Sequence, residues 1–260
     1  MSSAAFRDLR LAELEDSLVL LNRYGKELGD VLEIGAGTGW QAKALSRVGF
    51  HVEAIDLPAE SEISGHAKSR EWPITDYDGV HIPFHDGAFD IIYSSNVLEH
   101  VTELDILMSE MKRVLRPNGV ALHLLPNPQW RLISLLSYYP GQAIDFARWL
   151  RKSRNQISVR HGISGSESDG LLKKAARRLI PPAHGAVGTP LSEMARFSKR
   201  SWYAYFDRMC WQVIHYCNNG LAASGDYLFG RALGIRARRR IGHLIGGIAH
   251  VYVLRSRATA

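Results

Sequence analysis

Apolar and polar positions recur along this chain with two periods, and the changes between them mark its elements. Leu11, Leu14, Leu18, Leu21 and Leu28 fall at helical spacing, which predicts an N-terminal helix across Phe6 to Leu28. Asp30–Ile34 then reads as a short buried strand, Trp40–Val48 as a helix and His51–Ile55 as a second strand. Residues 59–71 are polar and predict a loop or short helix, and Glu71–Ile74 a weak third strand interrupted by Pro73. Phe89–Ser94 predicts a fourth strand, Glu103–Leu115 a helix and Val120–Leu125 a fifth strand, with no internal repeat.

The junction of the first strand and its helix carries the first chemical signal. Val31-Leu32-Glu33-Ile34 leads into Gly35-Ala36-Gly37-Thr38-Gly39, and the glycines let the backbone turn sharply into a helix whose free N–H groups face a ligand. Asp56 ends the second strand, where a carboxylate can accept hydrogen bonds from ribose hydroxyls. The spacing G-x-G-x-G, with bulky Trp40 after it, departs from the dinucleotide fingerprint G-x-G-x-x-G and disfavours a pyrophosphate. Glu33 points the same way, because a carboxylate beside the turn attracts an α-ammonium and repels a diphosphate.

With these residues on the page, the chain resembles the class I S-adenosylmethionine-dependent methyltransferases, in particular the group that includes the ubiquinone-pathway O-methyltransferases. Asp78-Gly-Val-His-Ile82-Pro-Phe84 and Phe89-Asp90-Ile-Ile-Tyr-Ser-Ser-Asn-Val-Leu-Glu-His100 look like the family's acidic turn after the third strand and its fourth strand. Met111-Lys-Arg-Val-Leu-Arg-Pro117-Asn-Gly119 followed by Val120–Leu125 looks like its helix, Pro-Gly-type turn and fifth strand. Order and spacing agree over residues 28–126. The resemblance implies an α/β, Rossmann-like doubly wound sheet of seven strands, mostly parallel with an antiparallel last strand. It also implies S-adenosylmethionine as cofactor. Glu33, Gly35, Ala36 and Gly37 would surround its methionine part, Asp56 and Leu57 its ribose, and Asp78 and Gly79 its adenine, while Ser94 and Ser95 close the other side through backbone groups. Asp76 lies two residues before Asp78 and could make the adenine contact instead, and Asp90 reads as structural.

Methyl transfer from a sulfonium asks mainly that a nucleophile be held in line and water excluded. Two histidines are candidate bases for a hydroxyl acceptor: His100, just past the fourth strand, and His184, in the loop Pro181-Pro-Ala-His-Gly185. A core histidine packed on the following helix is an equal reading of His100. The ubiquinone-pathway relatives carry a Glu-Glu-His set associated with a divalent metal; Asn96 stands at its first position here, so no metal is expected. His123 reads as a satisfied core histidine, and Trp202, Tyr203, Tyr205 and Phe206 mostly as packing.

The reading divides the chain into a cofactor-binding core at 1–126, a basic helical and loop insertion at 127–196, and a closing unit at 197–260. The insertion includes Leu171–Ile180, where Leu172, Ala175 and Leu179 share a helical face opposite Lys173, Lys174, Arg177 and Arg178, an interfacial pattern. In the closing unit, Phe197–Phe206 resembles the family's last helix, Cys210–Ile214 its sixth strand and Gly246–Arg255 its seventh, with a second basic insertion at 217–245.

Charge separates the two halves. Residues 1–145 carry a balance of −9 and residues 146–260 one of +15, so the basic half should face an anion. A phosphorylated or lipid-linked acceptor, an anionic membrane surface and RNA all satisfy that requirement. The expectation is methyl transfer to a hydroxyl of a small-molecule, saccharide or glycolipid acceptor; an RNA methyltransferase and a non-catalytic S-adenosylmethionine-binding regulator are the alternatives. No N-terminal signal is visible, the longest apolar run, Ile241 to Leu254, is too short to span a bilayer, and Cys210 and Cys217 lack metal-like spacing. These features predict a cytoplasmic protein, peripheral at a membrane if the basic half docks there.

Overall fold

The computed structural model describes residues 3–58, 70–140, 190–222 and 233–257. The predicted helix at 171–180 and His184 lie outside them. Seven strands form one sheet: β1 (Asp30–Ile34), β2 (His51–Asp56), β3 (Thr75–Asp76), β4 (Phe89–Ser95), β5 (Leu115–Pro126), β6 (Trp211–Asn218) and β7 (Ala249–Ser256). Their order is β3-β2-β1-β4-β5-β7-β6. The pairs from β3 to β5 are parallel, and β7 runs antiparallel to both neighbours. This is the sheet the sequence predicts, its one reversed strand included.

Alternation along the strands sorts side chains onto two helical layers, as expected of a parallel sheet covered on both faces. Leu32, Ile34 and Ile92 join Leu107, Met108 and Met111 of α3 (Leu104–Val114) on one face. The same cluster takes in Trp202 and Phe206 of α6 (Lys199–Arg208). Val31, Ile91 and Tyr93 face the other way, onto Leu14 and Leu21 of α1 (Ser3–Tyr24) and Leu45 of α2 (Trp40–Arg47). Residues 128–140 form helix α4, and α5 (Pro190–Arg196) and α7 (Ile235–Ile245) complete the described helices.

Three boundaries differ from the sequence reading. The third strand sits at Thr75–Asp76, past Pro73, which cannot donate to a ladder. The fifth strand begins at Leu115, because Pro117-Asn118-Gly119 is taken up within it: the register shifts between Phe89 and Ile91, and Asn118 has φ 67°. The segment 217–245 is less of an insertion than expected, since β6 runs to Asn218 and Ile235–Ile245 is helical.

Two polar clusters sit at opposite ends of the sheet. At the amino end of β4, Asp90 accepts from the backbone N–H of Asp30 at 3.0 Å and from Arg116 at 2.6 Å, which makes it structural. At the carboxyl ends, the place where open α/β sheets bind ligands, lies the candidate site. Among the described residues, no helix is long and apolar enough to cross a membrane. Cys210 and Cys217 are both free.

Candidate functional site

The site begins where β1 turns into α2. Gly35, Gly37 and Gly39 have φ of 73°, 60° and 77°, values that side-chain-bearing residues rarely adopt. Space forbids a side chain too: a Cβ on Gly35 would collide with Val97, and one on Gly39 would lie 2.6 Å from Trp72 Cβ. The backbone therefore passes close to two walls and leaves the start of α2 open to a ligand.

Under this turn Glu33 is buried, and its carboxylate accepts from the backbone N–H of Ala42. Its Oε2 has no hydrogen-bond partner among the described residues. Burial pushes the Glu33 pKa up to about 8, and the nearby Asp56 charge adds to the shift. An arriving ammonium would satisfy that oxygen and restore the charge, so the donor set fits the methionine end of S-adenosylmethionine. Tyr93 closes the floor, accepting at its hydroxyl from Gln41 Nε2 at 3.0 Å.

Asp56 joins the turn to the tip of β2. One carboxylate oxygen accepts from the Gly37 N–H and the other from the Leu57 N–H. Both keep a lone pair for further donors, as ribose recognition requires. Leu57 in turn faces Gly79, whose added Cβ would lie 3.1 Å from Leu57 Cδ2, so the predicted ribose and adenine residues are brought together. The Asp78 side chain folds back on its own loop, accepting from the N–H groups of Val80 and His81 and pairing with the His81 ring at 2.6 Å. His81 and these backbone donors hold its pKa down at about 2. Asp76 is paired with Arg70.

On the opposite wall, Ser94 is buried and bonds His123 Nδ1 at 2.8 Å, while His123 Nε2 has no hydrogen-bond partner among the described residues. The core histidine is thus only half satisfied, and burial pushes its pKa down to about 3, which keeps it neutral. Asn96, at φ 57°, follows Ser95 into the short 3-10 turn Leu98–His100. With its amide turned to suit its neighbours, Asn96 accepts from Ser95 Oγ and from the Arg10 guanidinium of α1. Glu99 is buried, and desolvation pushes its pKa up to about 8. His100 Nε2 stands 3.8 Å from Glu99 Oε1 with its side chain 39% exposed. Burial lowers the His100 pKa, opposed by the Glu193 charge, so the imidazole is neutral.

A cavity of about 400 Å³ adjoins this turn, lined by Leu98, Val101, Leu104, Phe197, Trp202 and Tyr205, with Thr102, Ser201 and Arg196 adding polar groups. Trp202 and Tyr205, expected as packing, therefore also line open space.

Sequence reasoning missed the charged groups that hold helices over the site. Arg7 of α1 clasps Glu71 through two bonds of 3.0 Å and lies over the Trp40 ring. Arg10 pairs with the buried Glu13 at 2.7 Å, and Glu13 accepts from Asn219 at 2.9 Å. Arg131 of α4 and Glu193 of α5 form a buried ion pair at 2.9 Å that joins both ends of the insertion. A usable signal existed in α1, where Arg10 and Glu13 interrupt an apolar stripe at a spacing of three.

The comparisons with known proteins bear on this same stretch. Residues 32–123 match the family model described as a methyltransferase domain. This stretch is a methyltransferase domain of the class I S-adenosylmethionine-dependent kind. An uncharacterized methyltransferase of Mycolicibacterium gilvum is 39% identical over 137 residues, covering 51% of either chain. One from Mycobacterium sp. (strain JLS) is 36% identical over 165 residues, covering 58% of this chain and 66% of that one. The chain thus spans between half and two thirds of the length of these curated relatives. In fold, the chain is similar to a solved S-adenosylmethionine-dependent methyltransferase of Mesorhizobium loti, with TM-score 0.51, 15% identity and coverage of 94% and 97%. It is also similar to a structure of a Haloferax volcanii putative methyltransferase in complex with its Trm112 activator, with TM-score 0.54, 14% identity and coverage of 99% and 96%. The cofactor of this family is S-adenosylmethionine, which agrees with the orphaned Glu33 oxygen.

Proposed function

We propose that this chain transfers the methyl group of S-adenosylmethionine to a hydroxyl of a small-molecule, saccharide or lipid-linked acceptor. The observation that carries the reading is His100, a neutral and partly exposed imidazole past the carboxyl end of β4, whose chain neighbours Glu99 and Val101 line a largely apolar and aromatic cavity. One relative, matched at 32% identity over 92 residues, is named as a malonyl-[acyl-carrier protein] O-methyltransferase of Erwinia billingiae, which supports oxygen as the methylated atom.

When bound, the cofactor supplies a methyl already activated on a sulfonium. Glu33, Gly35, Ala36 and Gly37 hold its amino-acid end, Asp56 and Leu57 its ribose, and Gly79 with Asp78 or Asp76 its adenine. The backbone of Ser94 and Ser95 closes the cleft from the β4 side. Helix α1, clasped to Glu71 by Arg7, keeps water out. His100 would accept the acceptor's hydroxyl proton as the oxygen bonds to the methyl carbon, the carbon–sulfur bond breaking with its electron pair left on the cofactor sulfur, which departs as a neutral thioether. His184 lies outside the described residues, and its role as a second base stays an expectation of the sequence.

Incubation with methyl-labelled S-adenosylmethionine and fractionated cell extract tests this reading. Label in a lipid or small-metabolite fraction supports it. Label confined to RNA, or tight cofactor binding with no label transferred, rejects it.

A further inference from the structure

Helices α4 and α7 carry an unusual share of the exposed apolar surface. Of the ten large hydrophobic side chains most exposed among the described residues, six lie on these two helices. On α4, Leu132, Leu136 and Tyr139 are 46%, 68% and 54% exposed and follow one helical face. On α7, Leu244 is 87% exposed, with Ile241 and Ile245 beside it at 37% each. Neither helix contains an aspartate or glutamate. Arg236 and Arg240 of α7 are exposed, and no carboxylate pairs with them among the described residues.

Both helices stand on one small core. Trp130 and Ile133 of α4 and Ile235 of α7 pack on Leu221, Ile248 and the Leu9–Ala12 stretch of α1. That core sits at the carboxyl end of β5 and the start of β7, where Pro126 pairs with Ala249. The cofactor turn and His100 occupy the same end of the sheet, at the tips of β1, β2 and β4.

We propose that α4 and α7 seat this chain on an anionic lipid bilayer, with their apolar side chains at the acyl boundary and Arg236 and Arg240 at the headgroups. Charge complementarity selects the occupant: the one carboxylate paired with α7 among the described residues, Asp16, is taken up by Arg239, and the apolar side chains bordered by Arg236 and Arg240 on two helices without a carboxylate of their own match an acidic bilayer. Both helices stand at the end of the sheet that carries His100, so the acceptor met there is a membrane-resident one. That last step rests on the methyl-transfer reading above, whereas the docking does not.

Flotation of the full chain with vesicles of phosphatidylcholine, alone or mixed with phosphatidylglycerol, tests the proposal. The expected result is flotation with the mixed vesicles, weakened by salt and absent with phosphatidylcholine alone. The double variants Arg236→Glu with Arg240→Glu, and Leu136→Ser with Leu244→Ser, should each lower vesicle affinity by about tenfold. Calorimetric binding of S-adenosylmethionine should stay unchanged in both, which shows that they fold. Equal flotation with both vesicle types, none with either, or no effect of the variants overturns docking. So does a parent dimer that the leucine variants dissociate, which would assign the surface to a second copy. Failure of the methyl-transfer reading would appear separately, as absent label transfer with flotation intact.

Discussion

The Asp56 carboxylate accepts the backbone N–H of Gly37, so the tip of β2 is tied directly to the glycine turn that ends β1. Replacing Asp56 by Ala removes this tie together with the acceptors offered to a ribose. Affinity for S-adenosylmethionine should fall by about 1–3 kcal/mol, read by calorimetry, with the fold retained.

Gly35 makes a harsher demand. Its φ of 73° and the closeness of Val97 leave no room for a side chain. Gly35→Ala should cost about 1–3 kcal/mol of stability in denaturant unfolding and abolish detectable cofactor binding. Pairing it with Val97→Ala should restore part of the stability by relieving the contact, although the strained φ remains.

The buried titratable groups make the stability of the fold depend on pH. Glu33 and Glu99 are pushed up to about 8, so the folded chain keeps protons that the unfolded chain gives up, and their contribution falls as pH rises toward 8. Burial pushes His123 down to about 3 and His250 to about 4, so their contribution rises with pH until the ordinary histidine range is passed. The two effects oppose each other in mild acid, and of these four groups only the carboxylates act above pH 6.5, the ordinary histidine value. Stability of the cofactor-free chain should therefore decline from there to about pH 8, and Glu33→Gln should make the decline shallower. Cofactor binding near neutral pH should release a proton from Glu33, seen as a buffer-dependent calorimetric enthalpy that Glu33→Gln removes.

His100→Ala separates binding from chemistry. Loss of a general base should lower kcat by about 10²–10⁴-fold while leaving the Kd for S-adenosylmethionine unchanged. In the parent, activity should rise with pH through a value below the ordinary histidine range, because burial lowers the His100 pKa.

The Arg131–Glu193 pair closes the insertion with almost no solvent contact. Arg131→Ala leaves the Glu193 charge buried without this guanidinium and should cost about 3–5 kcal/mol in unfolding. Replacing both residues by methionine should recover most of that loss.

Much of the sheet could be read from the sequence, because buried parallel strands are short apolar runs bounded by turn residues, as at Val31–Ile34 and Phe89–Ser94. The glycine turn was legible for the same reason that it works: its backbone angles admit few other residues. Pro117-Asn118-Gly119 misled because a bulge inside a strand and a turn before one use the same residues. Arg10, Glu13, Arg131 and Glu193 were illegible as a set. Their partners come from distant helices, and nothing local in the chain records which charges the fold will bring together.

Asn219 shows what such distant partners imply for assembly. Its side-chain oxygen accepts from the N–H groups of Leu221, Ile248 and Ala249, and its amide nitrogen donates to Glu13, 206 residues earlier. Helix α1 thus waits for β7 to exist before it can settle. Until β7 has formed, α1 lacks this tie, and a growing chain leaves the glycine turn without the helix fastened beside it.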